Sequence, residues 1–353
     1  TQSLEKIHSF AFDIQIDHPQ YNNIVVMLGH VRVVNAFDGE VEFEGRILEP
    51  TARMSDKGFV KTFVCEGLLS YLNDSTQHYM KFTNTGIKNY LQNILLNHNN
   101  QTEPHKHMYA GDVTVIDTDN YPNSFIGYDT TIETLRKYLK EVYGGVFMLR
   151  KTPTDLRLDY VNFEDIGERS DTVLRLGDNI LSARRTINFD ELITRLVPIG
   201  NDIEQESEET PDGQQVTRPK ITIESVNGGK RYIEDSNLIR FAGIIQRPMI
   251  FEYVDTASEL LKKAQDYMNR QSIAVASWEV EAVDKSLIDS NYDKLKVGNT
   301  YPIDIQPLSS VEELQIVEKV IRSGNPQRPK LTIGALRPTY TDYITNPLNR
   351  RVR

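Results

Sequence analysis

The sequence predicts a mainly β protein with α+β insertions. Stretches of alternating or β-branched apolar residues occur near the N-terminus, in the middle and near the C-terminus. Three segments with helical periodicity interrupt them. At 353 residues the chain exceeds the usual size of a single hydrophobic core, so we expect two or three domains.

Composition and charge argue against a membrane-spanning protein, a secreted protein and a tight binder of nucleic acid. Hydrophobic residues make up 39% and charged residues 25%, the proportions of a soluble globular protein. No apolar run approaches the roughly 20 residues that span a bilayer, and the first residues lack the basic and apolar regions of a signal peptide. The net charge of −10 disfavours tight binding to nucleic acid, which depends on neutralising phosphates with Lys and Arg. The single cysteine excludes an internal disulfide and fits synthesis in a reducing cytoplasm.

The first 75 residues are predicted to be all-β. Phe10–Asp17, FAFDIQID, alternates apolar and polar side chains, and Asn23–Val34 is rich in β-branched residues. Val41–Ile47 predicts an outgoing strand with Glu42 and Glu44 at surface positions. FVKTFVCEG predicts the strand that returns from a turn at SDKG, which completes a hairpin.

Residues 76–165 predict a small α+β segment. TGIKNYLQNILLNHNN predicts a helix, because it carries apolar residues at helical spacing, namely Ile87, Tyr90, Leu91, Ile94 and Leu95. YDTTIETLRKYLKEVYGG predicts a second helix, with a capping box of Thr130 and Glu133 and a stop at Gly144–Gly145. GDVTVID predicts a short strand, and GVFMLRKTPTDLRLDYV predicts a hairpin that turns at TPTD.

Beyond residue 165 the sequence returns to β structure. Strand-like stretches lie on both sides of DIEQESEETPDGQQVTRP, which we expect to be a solvated acidic loop. DTASELLKKAQDYMNRQ predicts a third helix with an apolar face made of Ala257, Leu260, Leu261, Ala264 and Met268. Residues 337–353 are polar and basic, which is typical of a tail or of a link to further sequence.

Two internal similarities favour a pair of related β modules. DTTIETL, from Asp129, recurs as DTASELL, from Asp255. The hairpin VEFEGRI…FVKTFVCEG resembles the later pair LQIVEKVIRS…PKLTIGA, whose return also ends in a glycine. We infer two β modules, each associated with a helical element.

Cys65 is the one candidate for a thiol nucleophile. Such a thiol needs a lowered pKa, usually from a helix N-terminus or a neighbouring cation. KTFVCEG is instead a strand context, and the next residue is Glu66. Free cysteine is among the most buried residue types, so a packing role is favoured.

Several histidines lie close enough in sequence to be candidate metal ligands, but their pattern does not require a metal site. His105 and His107 lie in HKH, with His98 and Asp112 nearby, but the segment is polar and loop-like and no HExxH occurs. We favour incidental surface histidines, although the i, i+2 spacing would also place two ligands on one strand. Trp278 is more typical of a core or an interface than of a sugar platform. Phosphate-binding glycine loops and a GxSxG elbow are missing from the sequence, so we predict no catalytic, cofactor-binding or metal-binding residues.

The hairpin and several later motifs together resemble a family of phage tail proteins. FEGRI, CEG and YLNDS occur early, and TRLVPIGN, TASELLKKAQDYM, LKVGNTYPIDI and PKLTIGA follow in the family's order. The resemblance is to the N-terminal hub region of the tail-associated lysin and prophage tail endopeptidase family of Gram-positive siphophages. It extends from about Ile7 to Leu336, and the family is similar in turn to the baseplate hubs of contractile-tailed phages.

This resemblance implies a domain plan of two tube-like β-barrel domains per chain plus smaller α+β domains. We expect a first β-barrel module in residues 1–75, completed by about 168–195, and an inserted α+β domain in 76–167. A second barrel module in 196–336 would carry a helical insertion at about 246–271.

The resemblance also implies a function as a structural tail-tip hub. Three chains would form a pseudo-sixfold ring that contacts the distal tail protein, the tape measure protein and the tail-tip or receptor-binding proteins. The protein would be made in the host bacterial cytoplasm and reside in the virion, without a cofactor. DNA would pass through the lumen without specific binding, which an acidic lumen would assist, although an outward-facing acidic surface would equally explain the charge.

An enzymatic function is the alternative hypothesis. Longer members of the family carry hydrolase or fibre modules after the hub. A cell-wall-degrading endopeptidase would use Cys65 as its nucleophile, or a metal held by His105 and His107.

Overall fold

The computed structural model describes residues 1–55, 58–83, 85–116, 124–187, 192–203, 219–251, 254–271, 276–289, 291–304 and 312–334. The chain divides into two compact units. The first comprises Thr1–Thr186 and Ser277–Pro338, and the described part of the second lies within Ile187–Ala276. The predicted mainly β class with α+β insertions is confirmed. The β modules are a half-barrel and a nearly closed barrel, both in the first unit. The limits predicted for the domains stay a prediction.

The half-barrel is built from residues that follow the N-terminal strand β1 (Gln2–Ser3). Its sheet has the order β2-β6-β4-β3, and β5 also pairs with β6. The strands are β2 (Ser9–Gln15), β3 (His30–Val34), β4 (Val41–Ile47), β5 (Thr51–Ser55) and β6 (Gly58–Gly67). The core consists of Ile14, Phe43, Ile47, Phe63 and Cys65.

The predicted hairpin is confirmed, with one additional strand. β4 pairs with β6 from Gly45 opposite Gly67, while β5 forms a separate hairpin with the start of β6. The break between β4 and β5 contains Pro50, which has no N–H to give to a ladder. The surface positions predicted for Glu42 and Glu44 are wrong, because their side chains are only 17% and 12% exposed and form ion pairs.

The strand predicted for Asn23–Val34 is wrong over its first half. Only His30–Val34 is a strand, and the residues before it form turns. Met27 has a φ of 63°, and its N–H donates to the Ile47 carbonyl at 2.7 Å. β-branched composition favours a pleated surface but provides no partner strand, and here the backbone turns instead.

The α+β layer follows the half-barrel through a 3-10 turn at Leu68–Asn73. Helix α1 (Ile87–Asn99) buries the whole predicted apolar stripe. The capping box at Thr130 is confirmed at the start of α2 (Thr131–Leu135), which continues through a π turn into α3 (Glu141–Tyr143). The strands are β7 (Met80–Phe82), β8 (Met108–Val113), β9 (Ser124–Ile126), β10 (Val146–Lys151) and β11 (Leu156–Val161). β10 and β11 form the predicted hairpin, and β7 pairs with β9.

The nearly closed barrel combines strands from distant parts of the sequence. Its order is β12-β18-β19-β20-β17-β13, and a bridge between Leu176 and Ile180 links the two ends of the sheet. The strands are β12 (Leu174–Arg175), β13 (Ile180–Ile187), β17 (Ala276–Ala282), β18 (Thr300–Asp304), β19 (Glu312–Val320) and β20 (Lys330–Ile333). Trp278, Tyr301 and Ile316 are fully buried in its core.

The second unit packs helices against a small mixed sheet. Its strands are β14 (Arg195–Ile199), β15 (Ile233–Glu234) and β16 (Gln246–Ile250), in the order β15-β14-β16. Helix α5 (Ala257–Gln271) confirms the third predicted helix and buries Leu260, Ala264 and Met268. Helix α4 (Ser236–Ala242) was not predicted. Among the described residues, no helix combines the length and apolarity needed to cross a bilayer.

Candidate assembly surface

Strand β1 fastens the two β modules of the first unit to each other. Its backbone pairs with β19 of the barrel, with Gln2 opposite Lys319. The Gln2 amide also donates to the backbone carbonyl and the carboxylate of Glu42 on β4, each at 2.9 Å. A two-residue strand therefore contacts the barrel through its backbone and the half-barrel through a side chain.

Lys294 makes the strongest ionic connection between the same modules. Its ammonium lies 2.7 Å from Asp38, 2.8 Å from Glu40 and 2.9 Å from Glu42, all on the β3–β4 hairpin. Burial lowers the pKa of Lys294, but hydrogen bonds to the three carboxylates outweigh it and raise that pKa above its ordinary value. Lys294 is therefore held in its charged form at the junction.

Lys319, on strand β19 of the barrel, is a buried lysine at the same junction. Its side chain is 4% exposed, its ammonium donates to the Leu295 carbonyl at 2.5 Å, and Asp284 lies 3.5 Å away. Burial lowers the pKa of Lys319, and the negative charges of Asp284 and Glu42 oppose that effect. Hydrogen bonding and the opposite charge compensate the burial of this ammonium group.

Arg46 connects the half-barrel to the α+β layer. The guanidinium donates to Glu66 and to Asp74, both at 2.6 Å, and lies 5.5 Å from the centre of the Tyr71 ring. Asp74 also forms an ion pair with Lys106, at 3.0 Å. The half-barrel is thus fixed to both of its neighbours in the first unit, so its free sheet edges have a defined position.

Exposed apolar side chains are concentrated on the half-barrel. Nearly half of the large apolar residues that are exposed among the described residues fall between residues 16 and 64. Val25, Val26, Met27 and Leu28 are consecutive members of this set, with Leu28 84% exposed. The left-handed backbone of Met27 is strained for a side chain of that size. Exposed apolar patches on a fixed scaffold are typical of protein–protein contact surfaces.

The Cys65 side chain faces the half-barrel core. It is fully buried, opposite Phe10 on β2, and burial raises the pKa of its thiol to about 11. A nucleophilic thiol needs exposure and a lowered pKa, and Cys65 has neither. The predicted packing role is the one its position fits.

The histidines of the metal hypothesis make separate contacts. His105 stacks edge-on against Tyr71, with ring centres 5.9 Å apart, and His107 Nε2 lies 3.1 Å from the Thr102 carbonyl. Asp112 pairs with Arg150 at 2.9 Å. Over the described parts of the chain, no three His, Cys, Asp or Glu side chains converge as metal ligands would.

His98 belongs to a buried polar network that the sequence analysis missed. Ser75 Oγ lies 2.6 Å from both His98 Nδ1 and Thr131 Oγ1, and the Gln77 amide donates to Thr131 at 2.7 Å. His98 Nε2 lies 3.1 Å from the Lys106 carbonyl, which can only accept, so Nε2 carries the proton. Ser75 and His98 are 4% and 0% exposed, so this serine–histidine pair is closed to a substrate. The sequence does indicate that His98 is buried, because this residue continues the apolar stripe of α1 by one turn.

Comparison with known proteins places the chain among phage tail proteins. A family profile described as Prophage endopeptidase tail matches residues 168–344. This match confirms the resemblance drawn from the sequence motifs. A search of curated proteins returns no match to the sequence.

Three solved structures share the fold. The chain is similar to the 43 kDa tail protein of prophage MuSo2 from Shewanella oneidensis, with 16% identity, a TM-score of 0.61 and coverage of 94% of this chain and 92% of that one. It is similar to the tail protein from Neisseria meningitidis MC58, with 11% identity, a TM-score of 0.59 and coverage of 97% and 92%. For prophage tail protein gp18 from Listeria monocytogenes EGD-e the identity is 12%, the TM-score 0.50 and the coverage 99% and 90%. At these identities the likeness establishes the fold alone.

Proposed function

We propose, since the chain belongs to the prophage endopeptidase tail family, that it is a structural hub of a phage tail tip. Three copies form a ring that connects the distal tail protein to the tip. The tape measure protein and then DNA pass through its lumen. The ring is part of the virion, and its chains are made in the host bacterial cytoplasm.

The observation that carries this proposal is the joining of two β modules into one compact unit. The half-barrel and the nearly closed barrel are connected by β1 and by the carboxylates around Lys294. A chain with two β modules at a fixed spacing presents two sheets to a ring, so three chains supply six. In a closed ring every module contacts a neighbour, whereas an open chain of copies leaves one module exposed at each end.

Charge supports the proposed passage of DNA. Each chain carries a net charge of −10, so a ring of three is strongly negative. Where acidic side chains face the lumen, phosphates are repelled, so the genome would not adhere to the wall.

We propose no catalytic role, although the family's description contains the word endopeptidase. The Cys65 thiol is buried, with its pKa raised to about 11. His105 and His107 each contact a different neighbour. Neither form of the enzymatic hypothesis, thiol or metal, therefore has the environment that its chemistry requires.

Light scattering over a wide concentration range tests the ring. We expect a stable species with three times the chain mass of 40.5 kDa. The same measurement with the distal tail protein added covers assembly that needs a partner. A chain that stays monomeric in both conditions would overturn the proposal.

A further inference from the structure

We propose that β2 of one copy pairs with β13 of the next copy, which places Asp13 opposite Arg184. This inference rests on the proposed function, because it names the contact that closes the ring. It concerns two strand edges in the first unit whose backbone groups point away from their own sheets.

Within the described parts of the chain, no strand pairs with the outer edge of β2. β2 has β6 on one side only, and the N–H of Ile16 and the carbonyl of His8 bond towards β6. Because backbone groups alternate along a strand, those of Ala11 and Asp13 point outward, as does the N–H of Gln15. The Gln15 carbonyl is already occupied, since it accepts from His18 N–H at 3.0 Å. The edge is covered at its start, where Ser9 N–H donates to the Thr1 carbonyl at 3.0 Å.

The edge of β13 is open in the same way. β13 neighbours β17, and the carbonyl of Asn179 accepts from Val283 on that side at 2.7 Å. The carbonyl of Ile180 accepts from Gly177 on the other side at 3.1 Å, after which the described residues provide no further partner there. The same alternation directs the backbone groups of Ser182 and Arg184 outward. This is the seam at which the barrel is not closed.

The two edges match in length and in charge. Each offers three outward positions, with Asp13 in the middle of residues 11–15 and Arg184 in the middle of residues 182–186. Antiparallel pairing places the two residues face to face as a hydrogen-bonded pair, whereas in parallel pairing two residues that both direct their backbone groups into the shared ladder are offset by one position. Both are exposed, and an opposite-charge cross-strand pair favours this pairing.

Apolar side chains flank both edges. At the end of β2, Ile16 is 54% exposed. Its N–H donates to the carbonyl of Phe59 on β6, which pairs with Met54 on β5, so an apolar patch extends from the β2 edge across the sheet, with Phe59 45% and Met54 72% exposed. Beside the β13 seam, Leu176 and Leu181 are exposed by 43% and 45%. Pairing the edges would bring these patches together and remove apolar surface from water.

The other open edge of the half-barrel is a poorer partner for β13. β3 directs His30, Arg32 and Val34 to its exposed face, and Arg32 would place a like charge opposite Arg184. Like charges directly opposite each other destabilise a strand pair. The charges therefore select β2 over β3, and a head-to-tail contact between different modules is the kind that closes into a ring.

Disulfide trapping tests the contact directly. The only native thiol, Cys65, is fully buried, so introduced cysteines are the only exposed ones. The variant carrying Asp13→Cys and Arg184→Cys should form covalent trimers on mild oxidation. A mixture of the two single variants should stop at dimers, which excludes bonds within one chain. Asp13→Cys combined with Lys88→Cys, an exposed position on α1, measures random collision.

The outcomes separate this inference from the proposed function. A trimer by light scattering with no more crosslinking than the Lys88→Cys control overturns the strand pairing and leaves the ring standing. A monomer without crosslinks overturns both. A ladder that extends beyond three chains supports the strand pairing and counts against a three-copy ring.

Charge reversal provides a second test that does not depend on oxidation. Asp13→Arg and Arg184→Asp should each raise the concentration of half-dissociation by about fivefold, and the double reversal should restore it. Asp13 also accepts from Thr62 Oγ1 at 2.5 Å, so Asp13→Asn controls for loss of that bond. If the double reversal is no better than the worse single variant, the pairing of Asp13 with Arg184 is wrong.

Discussion

Protonation of His98 is opposed by the fold of the α+β layer. Burial lowers the pKa of His98 below its ordinary value of 6.5. In the folded chain the neutral ring accepts from Ser75 at Nδ1 and donates to the Lys106 carbonyl at Nε2. A proton at Nδ1 would make that nitrogen a donor, so the Ser75 hydroxyl would have to reverse its role in the buried network.

Stability should therefore fall on the acid side of neutrality. The unfolded chain takes up a proton as the pH drops through 6.5, whereas folded His98 resists protonation until its own lower pKa is reached. Stability is lost across that window and is fully present above it. Urea unfolding at a series of pH values measures the slope.

His98→Gln isolates this contribution from that of a second histidine, His8. Burial also lowers the pKa of His8, which adds a slope of the same sign. The variant should unfold more easily at pH 8, because it disturbs a buried network, but lose less stability between pH 6.5 and 5. An unchanged slope in His98→Gln would show that His98 titrates normally.

Residue-scale features were predictable where the signal is local. The Thr130 capping box follows from the spacing of two side chains, and the α1 stripe from helical periodicity. Arg46 and Lys294 were not predictable as buried ions. Their partners Asp74 and Asp38 lie 28 and 256 residues away in sequence, and no local pattern encodes such pairs.

At the scale of elements, the β3–β4 hairpin depends on one cation. Lys294→Met keeps most of the side-chain volume and leaves Asp38, Glu40 and Glu42 around an apolar group. We expect a loss of about 2 kcal/mol in the free energy of unfolding, since a half-buried charge–charge contact is removed on one side only. Amide exchange of residues 35–42 should rise more than that of the rest of the half-barrel.

Lys296→Met is the matched control for this prediction. Among the described residues the Lys296 ammonium forms an ion pair only with Glu40, at 3.0 Å, and its side chain is 49% exposed. An exposed pair of this kind contributes about 0.5 kcal/mol. Equal losses for the two variants would contradict the role assigned to Lys294.

Elements with a periodic pattern were predicted, and their partners were not. The hairpins β10–β11 and β19–β20 follow from alternation and turn residues. The pairings of β13 with β17 and of β1 with β19 join segments far apart in sequence, so periodicity does not reveal them. The open edges that carry the proposed contact therefore appear only in the folded structure.

At the scale of the molecule, two compact units with separate cores should unfold separately. Trp278, the only tryptophan, lies in the barrel core of the first unit. Its fluorescence reports on that unit, whereas far-UV circular dichroism also reports on α5 of the second. The second unit has the smaller cores, so the dichroism should begin to change at a lower urea concentration.

Equilibrium urea unfolding, followed by Trp278 fluorescence and far-UV circular dichroism on the same sample, compares the two transitions. Phe251→Ala, at the edge of the second unit's core, should shift the early dichroism change and leave the Trp278 transition in place. Superimposable transitions in the wild type would mean that the chain unfolds as one cooperative unit.

The pairing of β1 with β19 has a consequence for the order in which the chain folds. A ribosome releases Gln2 long before it releases Lys319, the residue that Gln2 faces. The half-barrel can form while synthesis continues, because all its strands lie within the first 67 residues. Strand β1 must wait until almost the whole barrel has emerged, which makes its pairing a late and slow event. A segment made early in synthesis is therefore among the last to find its partner.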